Sequence, residues 1–269
     1  MLKIGFIGTG NMGGAIAKAV CAAGFSDGVY LCDKDENKAS ALAKHLECNA
    51  ENNDFVAMEC DVIFLCVKPQ FIDDVAKELS DLIMKRANDK KPLIVSIAAG
   101  VKIEKIAALF VEGIHIIRIM PNTPVAIGKG MTVYCTNAYT TDEDEANFIK
   151  IMAKAGELDK VEERLIDSAC AISGCGPAFV YMFIEAMADA GVRCGLSRDK
   201  ALKYAQQTVI GAASLAKESK KHPGELKDAV CSPSGSTIEG VAVLEKSAFR
   251  GAVAEAVSAA YKRTVELGK

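Results

Sequence analysis

The chain has 269 residues, half of them hydrophobic, and its 32 basic and 35 acidic side chains leave a formal net charge of −3. That length fits two ordinary domains, and the well-mixed charges offer no basic stripe to nucleic acid or an anionic membrane. Ten cysteines are scattered with no CxxC spacing and only three histidines accompany them, which excludes a metal cluster and a secreted disulfide framework and points to reduced thiols.

The chain begins on a short apolar strand carried by Ile4, Phe6 and Ile7. This leaves no room for a secretion signal, so a cytoplasmic protein is expected. Gly8, Gly10 and Gly13 follow, and then Met12, Ala15, Ile16, Ala19 and Val20 recur at helical spacing. Strand, glycine turn and helix together form the GxGxxG dinucleotide fingerprint: Gly8 for the turn, Gly10 for close approach of a pyrophosphate, Gly13 for packing of helix on strand. Thr9, Asn11 and Met12 share this loop, and the phosphates would meet free N–H groups at the helix start. Val29–Cys32 reads as the second strand, and Asp33 at its end stands where a ribose is read. Its carboxylate would accept both ribose hydroxyls and repel a 2′-phosphate, which favours NADH, while Lys34 and Lys38 are near enough in sequence to offset that charge.

Residues 62–67, 93–97 and 114–119 are continuous apolar runs, the pattern of strands covered on both faces. Helical stretches at 71–84 and 103–110 lie between them, giving an open parallel sheet with ligands at the carboxyl ends of its strands. The loops there, Val67-Lys68-Pro69-Gln70, Ala98-Ala99-Gly100 and the stretch 120–124 with Asn122 and Thr123, are read together as the lining of a cofactor cleft. A further strand is expected at 131–135 and a helix at 142–154, opened by Thr141 or Asp142.

The fold class is therefore α/β, a Rossmann-type doubly wound sheet over residues 1–162 followed by an all-α domain over 163–269. Helical periodicity occupies 177–191, 199–218 and 248–267. Between Ala205 and Ala216 small and apolar residues cover every face, so this helix is expected at the centre of a bundle completed by a second subunit, a homodimer. The longest uncharged run, 168–184, is about 17 residues and is interrupted, short of the roughly 20 that span a bilayer, so no membrane helix is expected. Ser236-Thr237-Ile238-Glu239 is a capping-box pattern, which predicts a helix starting at Ser236 with its first amides available to a carboxylate.

Several blocks resemble the pyrroline-5-carboxylate reductases: Gly5-Phe6-Ile7-Gly8 with Gly10 and Gly13, Val67-Lys68-Pro69, residues 96–101 and 120–124, Ser173-Gly174-Cys175-Gly176-Pro177-Ala178, Asp189-Ala190-Gly191, His222 to Asp228, and Cys231 to Glu239. The chain departs from the family pattern with Ser234 in place of a usual glycine and Cys175 in place of a frequent serine. The resemblance implies hydride transfer from NADPH or NADH to the C=N carbon of 1-pyrroline-5-carboxylate, giving proline, and a homodimer that assembles further. It assigns the substrate to Ser232, Gly235, Ser236 and Thr237, with the Thr237 hydroxyl near the ring nitrogen as the catalytic contact. An imine arrives protonated, so positioning outweighs acid catalysis, in keeping with the scarcity of histidine. His222, Lys227, Glu185 and Asp189 receive no catalytic role. A β-hydroxyacid dehydrogenase would carry a helix lysine where this chain has Val180, and a non-catalytic dinucleotide sensor would carry an output module that is not apparent.

Overall fold

The structure, a computed structural model, describes residues 1–86 and 90–267. It falls into two compact units: Met1–Cys175 together with the segment from Ala260, and Gly176–Ala259.

The first unit is built on strands β1 (Ile4–Ile7), β2 (Val29–Cys32), β3 (Asn49–Ala50), β4 (Val62–Leu65), β5 (Leu93–Ser96), β6 (His115–Met120), β7 (Gly130–Thr136) and β8 (Gly156–Lys160). Its helices are α1 (Asn11–Val20), α2 (Glu36–Leu46), α3 (Asn53–Glu59), α4 (Ile72–Ile83), α5 (Ile103–Ala107), α6 (Asp142–Ile151) and α7 (Glu163–Ala169). The sheet order is β3-β2-β1-β4-β5-β6-β7-β8, so the chain reverses its direction of growth between β1 and β4. Each face buries its own cluster. Phe6, Phe64, Leu31 and Ile117 pack with Ile16, Val20 and Phe148 on one side, and Ile63, Leu65, Ile94 and Ile116 pack with Val56, Leu79 and Ile106 on the other. Phe6 and Phe64 stack across β1 and β4 with ring centroids 4.6 Å apart. Burial on both faces explains why these strands read as unbroken apolar runs.

The expected all-parallel sheet is corrected at one place, where β6 and β7 pair antiparallel. The connection from Met120 to Gly130 is too short for a parallel crossover, which takes about a dozen residues or more. Two edge strands, β3 and β8, escape the apolar-run criterion because they are short or polar. α5 and α6 stop at Ala107 and Ile151, earlier than their periodicity suggests, and α6 is opened by Thr141, whose side chain and that of Asp144 form a reciprocal capping box.

The second unit contains α8 (Gly176–Arg193), α9 (Arg198–Ser219), α10 (Pro223–Ala229), α11 (Ser236–Lys246) and the first turns of α12 (Phe249–Leu267). α8 and α9 form an antiparallel pair whose buried contact is made by Ala188, Ala201 and Ala205. Within the single chain α9 is not enclosed: Tyr204, Ile210 and Leu215 are exposed, in keeping with a bundle that needs a second subunit. The run on which the expectation about membrane helices rested is longer in the structure. Helical structure runs on through Glu163–Arg193, a 31-residue stretch long and apolar enough to cross a bilayer by length and composition alone. The uncharged run was interrupted in sequence, but Ser173 and Gly174 end a π-helical turn at Cys170–Gly174 and Gly176 already opens α8.

Candidate active site

The carboxyl ends of β1, β4, β5 and β6 lie side by side, since Ile7 pairs with Leu65, Leu65 with Ser96 and Ser96 with Arg118. The loops at this edge therefore converge at the β1/β4 reversal, where open α/β sheets take their ligands. Gly8 has φ +98°, and a Cβ there would lie 2.8 Å from the Cys66 carbonyl oxygen. At Gly13 a Cβ would lie 2.2 Å from the Gly8 oxygen, so α1 can approach the strand this closely only without a side chain. Gly10 differs: a Cβ would meet nothing within 4 Å, and as N-cap it offers no side-chain bond to the first turn of α1. The exposed Asn11 and half-buried Met12 open that turn, whose first amides have no acceptor within the helix and are able to take an anion. These features fit a dinucleotide pyrophosphate.

Thr9 is buried and engaged within the protein. Its N–H and Oγ1 both donate to Asp33 Oδ2, at 2.6 and 2.9 Å, and the Asp35 N–H donates to Oδ1 at 3.1 Å. Burial alone would raise the Asp33 pKa, but the hydrogen bonds from the Thr9 amide, the Asp35 amide and the Thr9 hydroxyl, with Lys38 nearby, hold it below the ordinary carboxylate value. Asp33 is thus an oriented carboxylate at the end of β2.

Along the rest of the edge, Val67 and the exposed Lys68 lead into a helical turn at Pro69–Phe71. Residues 98–101 form a β-turn closed by Val101 N–H to the Ala98 carbonyl at 3.3 Å, with Gly100 at φ +75°. Asn122 is buried and brackets two segments. Its Nδ2 donates to the Ser173 carbonyl at 2.9 Å, and its Oδ1 accepts from the Met131 N–H at 2.9 Å. Thr123 is exposed and opens the turn Thr123–Ile127, which packs against α1. A cavity of about 460 Å³ lined by Leu2, Leu93, His115 and Asp144 lies at the opposite, amino edge of the sheet and contains none of these residues.

In the second unit, Ser232-Pro233-Ser234-Gly235 is a type II turn, with Pro233 following the first residue and the Gly235 N–H donating to the Ser232 carbonyl at 3.0 Å. That turn type requires positive φ at its third residue, and Ser234 duly sits at φ +57°. The need for this conformation explains the glycine common at that place and the departure made here. The expected capping box at Ser236 does not form. Gly235, extended at φ −80° and ψ 164°, is the N-cap, and Ser236 is already the first helical residue, so no side chain caps α11. Ser232, Ser236 and Thr237 are exposed beside these first-turn amides. His222 instead caps α10 by accepting from the Gly224 N–H at 3.1 Å, Lys227 pairs with Asp228, and Asp189 pairs with Arg198. Arg118, which sequence reasoning passed over inside an apolar run, is fully buried beneath the sheet edge and pairs with Glu163 and Asp167.

Comparison with known proteins gives a consistent picture. Residues 163–267 match the family model described as pyrroline-5-carboxylate reductase dimerisation, and residues 3–100 match that described as NADP oxidoreductase coenzyme F420-dependent. Pyrroline-5-carboxylate reductase of Escherichia coli is 42% identical over 99% of this chain and 98% of its own length. That of Pisum sativum is 41% identical over 98% and 95% respectively. The crystal structure of Plasmodium falciparum pyrroline carboxylate reductase with NADP bound superposes with a TM-score of 0.89 at 32% identity, covering 100% of this chain and 98% of that one. With both its dinucleotide half and its helical half accounted for over their full length, the chain belongs to the pyrroline-5-carboxylate reductase family.

Proposed function

We propose that this chain reduces 1-pyrroline-5-carboxylate to L-proline, the last step of proline biosynthesis, with NADPH or NADH as hydride donor. The observation that carries this reading is the end-to-end identity with pyrroline-5-carboxylate reductases, which embraces the sheet-edge loops and the Ser232–Thr237 turn alike. When bound, the reduced nicotinamide supplies the hydride that the C=N carbon accepts.

The protein's own task is positioning. We assign the pyrophosphate to Gly8, Gly10, Gly13 and the first amides of α1 at Asn11 and Met12, and the ribose to Asp33 held in place by Thr9. Val67, Lys68, Pro69, Ala98, Ala99, Gly100, Asn122 and Thr123 line the rest of the cofactor's path. Ser232, Gly235 and Ser236 hold the substrate carboxylate against the uncapped start of α11, and the Thr237 hydroxyl hydrogen-bonds the ring nitrogen. No strong side-chain acid is required, because an iminium carbon is already electrophilic. His115 pairs with Asp144 at 2.7 Å at the amino end of β6, and His222 caps a helix, so neither is assigned a proton.

The helical half forms a homodimer, and we extend this to assembly of dimers into a larger homo-oligomer. The apolar surface of Glu163–Arg193 is read as subunit interface, not as a membrane span. We place the enzyme in the cytoplasm with no nucleic-acid or membrane partner. All ten cysteines are free, and burial pushes the Cys32 and Cys135 thiols up to about 11, which supports reading these two as reduced, unreactive core thiols.

The test is to supply 1-pyrroline-5-carboxylate with NADPH or NADH to the purified protein, following nucleotide oxidation and identifying proline as product. Nucleotide binding without substrate-dependent oxidation would overturn the assignment.

A further inference from the structure

One charged cluster beneath the sheet edge, a buried arginine with two partly exposed carboxylates, is used by none of the roles above. Arg118 on β6 is 1% exposed; its Nη1 donates to Glu163 Oε1 at 3.1 Å and its Nη2 to Asp167 Oδ1 at 2.9 Å, while its Nε reaches no acceptor among the described residues. Glu163 and Asp167 stand one turn apart on α7, so one guanidinium spans both.

What distinguishes the two carboxylates is a third contact. Glu163 Oε1 also accepts from the Ile103 N–H at 2.7 Å, across 60 residues of chain. Ile103 is the first residue of α5, directly after the 98–101 turn, and Lys102, its N-cap, provides no side-chain bond. Glu163 therefore caps α5 from another element, and Arg118 fixes the carboxylate that does so. Asp167 touches Arg118 but not the turn.

We propose that Glu163, held by Arg118, is a positioning residue for cofactor binding, fixing the Ala98–Val101 turn at the carboxyl edge of the sheet. This rests on the assignment of that turn to the cofactor.

Two pairs of variants test it through KM for the nicotinamide nucleotide, kcat and the thermal midpoint, measured on the intact enzyme. Glu163→Ala removes the cap and should raise the nucleotide KM about fivefold or more with a smaller change in kcat. Glu163→Gln keeps an oxygen acceptor and should restore it. Asp167→Asn, which disturbs only Arg118, should change KM by less than about twofold whatever its effect on the thermal midpoint. The second pair acts from the other side of the bond. Proline is tolerated at the first position of a helix, and Lys102 already has the extended conformation that proline demands of its predecessor (φ −74°, ψ 156°), so Ile103→Pro deletes the amide donor with little backbone change. It should reproduce the KM effect of Glu163→Ala, whereas Ile103→Ala, which loses the side chain but keeps the N–H, should not. Equal KM in Glu163→Ala and Asp167→Asn, or in Ile103→Pro and Ile103→Ala, overturns the proposal. A Gly100→Val variant distinguishes the two ways to fail: if straining the turn at its positive φ also leaves KM unchanged, the turn's place at the cofactor is what is wrong.

Discussion

Asn122 offers the sharpest quantitative test of the sheet edge. Replacing it by alanine removes two hydrogen bonds of 2.9 Å and strands their partners, the Ser173 carbonyl and the Met131 N–H. The cost is set less by the bonds lost than by the polar groups left behind, at about 1–3 kcal/mol for each when water cannot reach it. Ser173 is half-exposed and recovers some solvation; Met131 is also only partly covered, which places the sum near 2–4 kcal/mol, toward the lower end of two full penalties. With a urea m-value of about 3 kcal/mol/M the midpoint should fall by about 1 M. Asn122→Asp is the informative companion: it keeps the acceptor for Met131 but sets a carboxylate oxygen against the Ser173 carbonyl, and should be no more stable than the alanine variant. The assay is urea unfolding at fixed protein concentration, read by circular dichroism, alongside the nucleotide KM. An alanine variant with an unchanged midpoint would refute the bracket. One with an unchanged midpoint but a raised KM would leave Asn122 only its place on the cofactor's path.

Three further expectations follow from the geometry. Thr237→Ala should lower kcat/KM for the imine by roughly tenfold to a hundredfold, the equivalent of a hydrogen bond to a charged group worth about 1.5–3 kcal/mol, while Thr237→Ser keeps most activity and nucleotide affinity is unmoved; wild-type kcat/KM in Thr237→Ala removes the residue from the site. Asp33→Ser should shift the ratio of kcat/KM for NADH over NADPH toward NADPH, because it removes an oriented negative charge, and a wild-type enzyme that already prefers NADPH by about tenfold would deny Asp33 that role. For Asp144, burial raises the pKa, but the Thr141 hydroxyl and amide and His115 outweigh burial and leave it below its ordinary 3.8. A depressed folded-state pKa contributes stability that is complete above the ordinary value and is lost as pH falls from there through the folded value, so Asp144→Asn should flatten the acid limb below pH 3.8, and an unaltered limb would contradict this.

Much of the fold was legible because its signals are local. The fingerprint needs only a strand, three glycines and an amphipathic helix in succession, and Gly8 and Gly13 each have a steric reason to be there. Asp33 was found by its distance along the chain, but its orientation by Thr9 was not, since that contact depends on how β1 and β2 align. The antiparallel β7 was readable in principle from the short link between Met120 and Gly130. β8 was not, because Gly-Glu-Leu-Asp-Lys carries no apolar run and offers a single large apolar side chain, Leu158, to the core. At α11 the pattern Ser-x-x-Glu was present, yet the preceding type II turn delivers Gly235 in the extended conformation and takes the cap from Ser236. Arg118 lay hidden for a different reason: its partners are 45 and 49 residues away, so nothing near it in the chain tells a buried cation from an apolar neighbour.

The two margins of the sheet bear on how copies of this molecule meet. An open sheet is a template for further strands, and an edge that accepts a neighbour's backbone leads to fibres. One margin here is β3, just Asn49 and Ala50, and the other is β8, which carries Glu157, Asp159 and Lys160 along its short length. A stranger's strand would find two ladder positions at the first and would have to desolvate charges at the second. Growth by strand addition is thereby discouraged at both ends, while the helices carry the uncovered apolar side chains. Self-association is steered into a closed pairing of helices, and a change such as Asp159→Val, which makes no difference to the chemistry, should be felt first as a tendency to precipitate.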